Sequence, residues 1–293
     1  MNCNRLCGAL CGLLFCGPAI GAYWGFDATG GFAYDDNVGN ALDATDRKSD
    51  SAVTLNLSAG LHEQIDKSTG LDLSLVAESA TFARYAGLTN LGLGMRAQLR
   101  RKLGLGAEAP WVAVAARAVH RDYHYDYRDG WQYDASAALG KRLGERWELR
   151  GTARYDRYTA DHLQPEVVPG VSSAAYDVAG RNFGAQAAFL LTEADTLSLS
   201  YSWRKGTVTA VTPPDDEILE YSEAVARDPV FGTDLIAYRI QAKTDTVSIN
   251  WSHALGRHSS VNLSYAYRRT KGDSEELEAY YANLINLSVS YSR

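Results

Sequence analysis

From Tyr23 to the C-terminus, apolar and polar residues alternate with a period of two, broken at intervals by short polar or glycine-bearing stretches. Residues 51–64 set Val53, Leu55, Leu57, Ala59 and Leu61 on one side of an extended chain, and Thr54, Asn56, Ser58, Gly60 and His62 on the other. Residues 90–100 set Leu91, Leu93, Met95, Ala97 and Leu99 against Asn90, Gly92, Gly94, Arg96, Gln98 and Arg100. The pattern returns as Leu197/Leu199/Tyr201/Trp203, Val247/Ile249/Trp251, Val261/Leu263/Tyr265/Tyr267 and Ile285/Leu287/Val289/Tyr291. Successive side chains of a strand point to opposite faces, so this alternation predicts strands with one apolar and one polar face. About twelve are predicted. They begin near Trp24, Ser51, Gly70, Leu88, Trp111, Gly130, Arg146, Tyr176, Thr196, Ala237, Ser259 and Glu278.

The connections alternate in length. Asp66–Thr69, Leu103–Pro110, Leu143–Glu145, Thr192–Asp195 and Gly256–His258 are short, whereas Asn37–Asp50, Asp161–Ala175 and Val208–Ile236 are long. A two-sheet sandwich has no reason to gather its long loops at one end; a barrel with short periplasmic turns and longer extracellular loops does. The expected fold is all-β, a transmembrane antiparallel up-and-down β-barrel of about twelve strands with both termini periplasmic. Reversing its faces would put Arg96, Arg117 and Arg150 in hydrocarbon, at about 2–4 kcal/mol each near the midplane. A handful of such residues would exceed the ~5–15 kcal/mol stability of an ordinary domain. The leucine faces must therefore look outward. Trp24, Trp111, Trp147 and Trp251 are expected at the short-turn rim, and Trp131 and Trp203, with Tyr133, Tyr155 and Tyr267, toward the opposite rim, the level at which half-wet rings settle.

Composition narrows the class. With 46% hydrophobic residues and a mean hydropathy of -0.26, the chain is too polar for a bundle of membrane helices. Beyond its N-terminus no apolar run reaches the ~18 residues that a spanning helix needs. All four cysteines, Cys3, Cys7, Cys11 and Cys16, lie in the first sixteen residues. There Arg5, the apolar stretch Leu10–Phe15 and the small residues of Ala19–Ala22 form the three parts of a secretory signal. Residues 1–22 are expected to be a signal peptide that is removed, and residues 23–293 the barrel. Bulky Phe15 before Cys16 argues against a lipoprotein, and so short a leader offers no folded shell for a metal cluster. Removing Arg5 leaves 28 basic against 35 acidic residues, a charge of -7, with the arginines divided among strands; nucleic acid is not an expected partner.

The segment Tyr34-Asp35-Asp36-Asn37-Val38 ends the first predicted strand. It resembles the Tyr-Asp-(small or acidic)-Asn-Val segment of poorly characterised porin-like outer-membrane barrels, some encoded with exopolysaccharide machinery, and of the barrel part of surface-lipoprotein assembly modifiers. That resemblance implies an outer-membrane barrel, although the helical-repeat region of the latter family has no counterpart here. The chain also ends Tyr291-Ser292-Arg293 rather than on the terminal Phe common to such barrels.

The richest chemistry lies on the inward face. Arg96, Arg100, Arg117, Arg121, Arg150 and Arg154 project from the fourth, fifth and seventh strands, interleaved with Asp134, Glu148 and Asp156. The rest of the wall is mainly neutral, with Thr54, Ser58, Ser198, Ser200, Ser248, Asn250, Asn262, Ser264 and Ser288 facing in. Two readings stand side by side: a basic stripe that favours anions in a narrow lumen, and Arg–Asp and Arg–Glu ladders that fill and brace the barrel. The acidic loop segments Asp35–Asn37, Pro213–Glu217 and Asp273–Glu276 lack the spacing of a cation site and read as solvated surface. His120 and His124, with Asp122 and Asp126, read as rim polarity. His258 beside Ser259 and Ser260 lacks the acid of a triad and falls at the periplasmic rim, away from outer-leaflet lipid.

The expected function is a porin-like passive channel for small solutes with mild anion preference. The alternative is a non-conducting accessory barrel for export or display of polysaccharide or another surface component. Neither catalysis nor a cofactor is expected. Expected partners are outer-membrane lipid and lipopolysaccharide, the barrel-assembly machinery, small solutes and, through the Tyr-rich outer face, further copies of the chain.

Overall fold

A computed structural model describes residues 22–274 and 276–293. The expected signal peptide therefore lies, apart from Ala22, outside the described residues. The strands are β1 (Tyr23–Asp35), β2 (Asp50–Gln64), β3 (Thr69–Phe82), β4 (Asn90–Lys102), β5 (Trp111–Tyr123), β6 (Gly130–Leu143), β7 (Trp147–Ala160), β8 (Val178–Leu190), β9 (Asp195–Thr212), β10 (Ser222–Arg227), β11 (Ile236–Ala254), β12 (Ser259–Gly272) and β13 (Tyr280–Ser292). Each pairs antiparallel with its neighbour in sequence, save that β9 pairs directly with β11, and β1 with β13. Setting aside β10, which lies along the loop-side end of β11, the thirteen strands leave a closed barrel of twelve. Closure abolishes the unpaired edges that an open sheet would expose. At the seam, Phe26 and Arg293 exchange both backbone hydrogen bonds at 2.9 Å.

The pleat sorts the faces as the alternation predicts. Leu55, Leu75, Leu93, Met95, Leu199 and Leu263 are exposed on the outside, while their strand neighbours Thr54, Ser74, Ser198, Ser200 and Ser264 turn inward and are at most partly exposed. An exterior so apolar is stable only against hydrocarbon. Trp24, Trp147 and Trp251 face outward at the short-turn end, and Trp131, Tyr133, Tyr155, Tyr265 and Tyr267 toward the other. Trp111 departs from that girdle. Its ring turns into the lumen and is buried, because Gly140, its register partner on β6, leaves a recess: a Cβ at Gly140 would stand 2.3 Å from the indole.

The expected strand starts hold to within about two residues, but the stretch expected as one long loop, Val208–Ile236, is not featureless. β9 runs on to Thr212. Asp215 then caps a one-turn helix, α1 (Asp216–Glu220), accepting from the Glu217 and Ile218 N–H groups at 2.9 and 3.1 Å, and β10 follows. The acid of Pro213–Glu217 is thus partly a helix cap, which satisfies donors the first turn would leave open.

Candidate functional site: the lumen and its cover

The inward arginines divide into two groups. Arg117 is ion-paired with Glu78 and, at 3.3 Å, with Asp134. Arg121 reaches the other oxygen of Glu78 at 2.5 Å, and Arg154 Nε donates to Asp134 at 3.0 Å. The result is an unbroken ladder, Arg121–Glu78–Arg117–Asp134–Arg154, running along the wall from β3 to β7. It passes over β4 where that strand carries Gly92 and Gly94. A Cβ at Gly92 would press on Val119 and Arg121, and one at Gly94 would stand 2.1 Å from the Ala118 carbonyl. Asp156 is held by Arg204 at 2.7 and 3.2 Å. Arg96, Arg100 and Arg150 lie in the short-turn half and form no salt bridge among the described residues; all three are exposed to the lumen. Arg96 bonds Gln98 at 2.5 Å. Arg100 and Arg150 flank the buried Trp111 ring, their guanidinium carbons 4.3 and 5.7 Å from its centroid, a distance at which the ring face attracts a cation.

At the long-loop end the lumen is covered. Residues 36–49 leave β1 and reach across β13, β12 and β11 to β9, where the Val211 N–H donates to the Gly39 carbonyl at 2.8 Å. The Tyr34-Asp35-Asp36-Asn37-Val38 segment builds this crossing. Asp35 accepts from the Asn37 N–H at 2.7 Å, and Asp36 from the Asn283 backbone and side-chain N–H groups at 2.7 and 2.6 Å. The wholly buried Asn37 side chain holds both the N–H and the C=O of Ala41, at 2.9 and 3.1 Å.

A second crossing comes from the β10–β11 connection. β9 and β11 stand opposite β3 and β4 in the ring of twelve, yet Phe231 packs on Tyr85 with ring centroids 4.8 Å apart. Val230 fills the space over Gly87, where a Cβ would meet its side chain at 2.6 Å. Asp228, 0% exposed, is ion-paired with Arg128 of the β5–β6 loop. Arg128 also lies over the Tyr176 ring, 4.6 Å from its centroid. Burial alone would push the Arg128 pKa down; the Asp228 carboxylate overrides it and holds the pKa above its ordinary value. Burial also pushes the Tyr125 phenol up to about 12. Two apolar clusters complete the cover. One is built on Val225, Tyr238, Ile240, Leu277 and Tyr280, the other on Leu88, Tyr176, Val211 and Phe231.

Beneath the cover the lumen holds two chambers that share Val38 and Arg128 as a divide. One, about 410 Å³, is lined by Arg204, Arg268, Asn182, Thr244 and Thr270 among others. The other, about 380 Å³, is lined by Asp35, Asp50, Asn90 and Tyr123 with apolar Leu88 and Leu284. A third cavity of about 240 Å³ opens in the short-turn half beside Asp27, His62, Asp72 and Arg96.

No protein-family model matches the chain, and no curated protein matches it in sequence. Its likeness is to solved structures. An outer-membrane channel from Pseudomonas putida F1 superposes with a TM-score of 0.59 at 12% identity, over 94% of this chain and 97% of that one. The NanC porin aligns at 0.47 and 11% identity, over 91% and 98%. The KdgM porin, solved in complex with disordered oligogalacturonate, aligns at 0.45 and 8%, over 90% and 98%. The chain has the outer-membrane β-barrel fold. With its apolar exterior, that fold puts it in the bacterial outer membrane, short turns toward the periplasm and long loops outside.

The remaining residues flagged in the sequence fall on the rims. His120 faces outward, 3.2 Å from Asp122 and 2.6 Å from Asp161, and edges the Trp131 ring. His258 sits in the β11–β12 turn and donates from Nδ1 to the Ser292 carbonyl at 2.9 Å. Among the described residues no group of three or more His, Cys, Asp or Glu is placed to hold a metal ion. The wall expected to be neutral is not so in its extracellular part, where Arg204 on β9 and Arg268 on β12 face in. Both continue the parity of Ser200 and Ser264, so extending the alternation finds them, as it finds Glu78 on the parity of Ser74 in β3. Arg128 and Asp228 sit in loops and carry no such signal.

Proposed function

We propose that the protein is a porin-like passive channel for small solutes, with a mild preference for anions that originates in the periplasmic half of the lumen. Arg117, Arg121 and Arg154 brace the wall. Their charge is largely met by Glu78 and Asp134, so of the two readings of the arginines the ladder describes these three. Arg100 and Arg150 carry the preference. The observation behind this reading is their place on either side of Trp111, held by the ring rather than by a carboxylate, with their charge turned to lumen water. A guanidinium without a counter-charge in a narrow, water-filled bore with low-dielectric walls sets a positive potential over the path.

The test is the reversal potential in a planar bilayer under a salt gradient. The parent is expected to show anion bias, and Arg100→Gln with Arg150→Gln to move the potential toward that of an unselective pore. An unchanged potential would remove these residues from the selectivity claim. A second reading, a non-conducting accessory barrel for export or display of a surface component, draws on the two loop crossings over the extracellular mouth. A barrel that stays silent even with its cover released would favour it.

A further inference from the structure

Four outward-facing basic residues stand in one register row. Arg181 on β8 pairs with Lys205 on β9, Lys205 with Lys243 on β11, and Lys243 with Lys271 on β12. Each shares the parity of the lipid-facing residues of its strand, and all four are exposed. Directly below, one pleat nearer the membrane centre, Phe183 and Trp203 stack at 6.1 Å between centroids, the mark of the headgroup level, and the same row continues as Asp245, which accepts from the Tyr201 hydroxyl, and Arg269. At the same end of β1 to β5 the outward positions are Tyr34, Ser51, Thr81, Leu91 and Asp122, none of them basic. The row is therefore a one-sided patch, set where phosphates of the outer leaflet lie. Asp273 answers part of its charge, 3.4 Å from Lys205 and 3.2 Å from Lys243.

We infer that this row is a binding site for lipid A, the diphosphorylated glycolipid anchor of lipopolysaccharide. Strands ~4.8 Å apart make the row roughly 14 Å wide from Arg181 to Lys271 at the backbone. That width suits two phosphates carried on one disaccharide better than the single phosphate of a phospholipid. The acyl chains would then lie against the Phe183–Trp203 pair and, beneath it, Tyr201, Val247, Leu199 and Ile249. The site does not depend on conduction through the lumen.

The test is to incubate the refolded, detergent-solubilised barrel with lipid A, separate it by gel filtration, and measure the phosphate retained per barrel as lipid concentration is varied. Saturable retention is expected. Lys205→Gln with Lys243→Gln should weaken it about 30-fold, from roughly fivefold for each basic residue at an anionic surface. Arg101→Gln with Lys141→Gln, the same charge loss on the outward periplasmic rim, should leave it unchanged. Heat-modifiable gel migration confirms that each variant is folded, and Arg181→Gln with Lys271→Gln serves if the first pair is not. Equal retention by parent and row variants would overturn the site, as would displacement by phosphatidylglycerol at equal concentration.

Discussion

Asp228→Asn should open the extracellular mouth. The substitution keeps the shape of the side chain and removes its charge, leaving Arg128 protonated among Tyr176, Phe231 and the apolar cover. Arg128 cannot lose its proton to escape the cost. Stranding one member of a buried ion pair typically costs about 3–5 kcal/mol. At 1.4 kcal/mol per decade, that shifts the docked-to-released ratio of the crossing by roughly a hundred- to a few-thousand-fold. Against it stand the burial of Phe231, worth about 1.5–3 kcal/mol, and the packing of Val230 over Gly87, so the released fraction rises while the apolar contacts still oppose it. The assay is single-channel conductance, which should rise above that of the parent. A covalent control is available because the chain has no cysteine beyond Cys16. A Cβ at Gly87 would lie 3.3 Å from the Val230 Cβ, near disulfide spacing. Adding Gly87→Cys and Val230→Cys should return the Asp228→Asn barrel to low conductance when oxidised and release it when reduced. If Asp228→Asn conducts as the parent does, or oxidation of the cysteine pair changes nothing, the crossing does not restrict the pore.

Two further outcomes follow from local geometry. Gly140→Ala should force Trp111 from its recess at about 1–3 kcal/mol; a double-mutant cycle with Trp111→Ala should cancel most of that cost, and simple additivity of the two changes would refute the packing. In the β2–β3 turn, Asp66 accepts from the Ser68 N–H at 2.7 Å and its hydroxyl at 2.8 Å, which lowers the carboxyl to about 2. Because the folded pKa is depressed, this contribution is complete above the unfolded value near 3.9 and fades as pH falls through about 2. An NMR titration giving an ordinary Asp66 pKa would contradict it.

The barrel was legible because lipid imposes one rule on every strand: a polar side chain facing out is penalised at each position separately, so Val53, Leu55 and Leu57 declare their strand without reference to any other. The same rule reaches Arg204 and Glu78. It does not reach Trp111, whose inward turn depends on an absent side chain at Gly140 on the neighbouring strand. Nor does it reach Arg128 and Asp228, one hundred residues apart. They meet only because ring closure sets the β10–β11 connection opposite β3 and β4, and closure leaves no periodic trace in a loop. Partners of the ladder were half visible. Parity says which charges face in; register says which of them meet.

The five-residue segment at the end of β1 shows the same division, and it can be tested. As sequence, Asp35, Asp36 and Asn37 read as a solvated acidic loop. In the fold Asn37 is wholly buried, its side chain closing on Ala41 from both sides and donating to the Tyr281 carbonyl at 3.3 Å. The crossing over the mouth is therefore shaped by a buried side-chain amide as well as tied by its bonds to β9 and β13. Asn37→Ala leaves the Ala41 N–H and C=O without partners in a buried site, at about 1–3 kcal/mol for each group stranded. The crossing should loosen before the barrel does, since the strands keep their own ladders. Hydrogen exchange separates these cases at one amide: Val211, whose only bond to the crossing is the one to Gly39, should lose protection while Leu199 and Ile249 on the same wall keep theirs. Protection retained at Val211 would mean the crossing is held by its apolar contacts, with Asn37 incidental. Loss at all three amides would mean Asn37 stabilises the barrel as a whole.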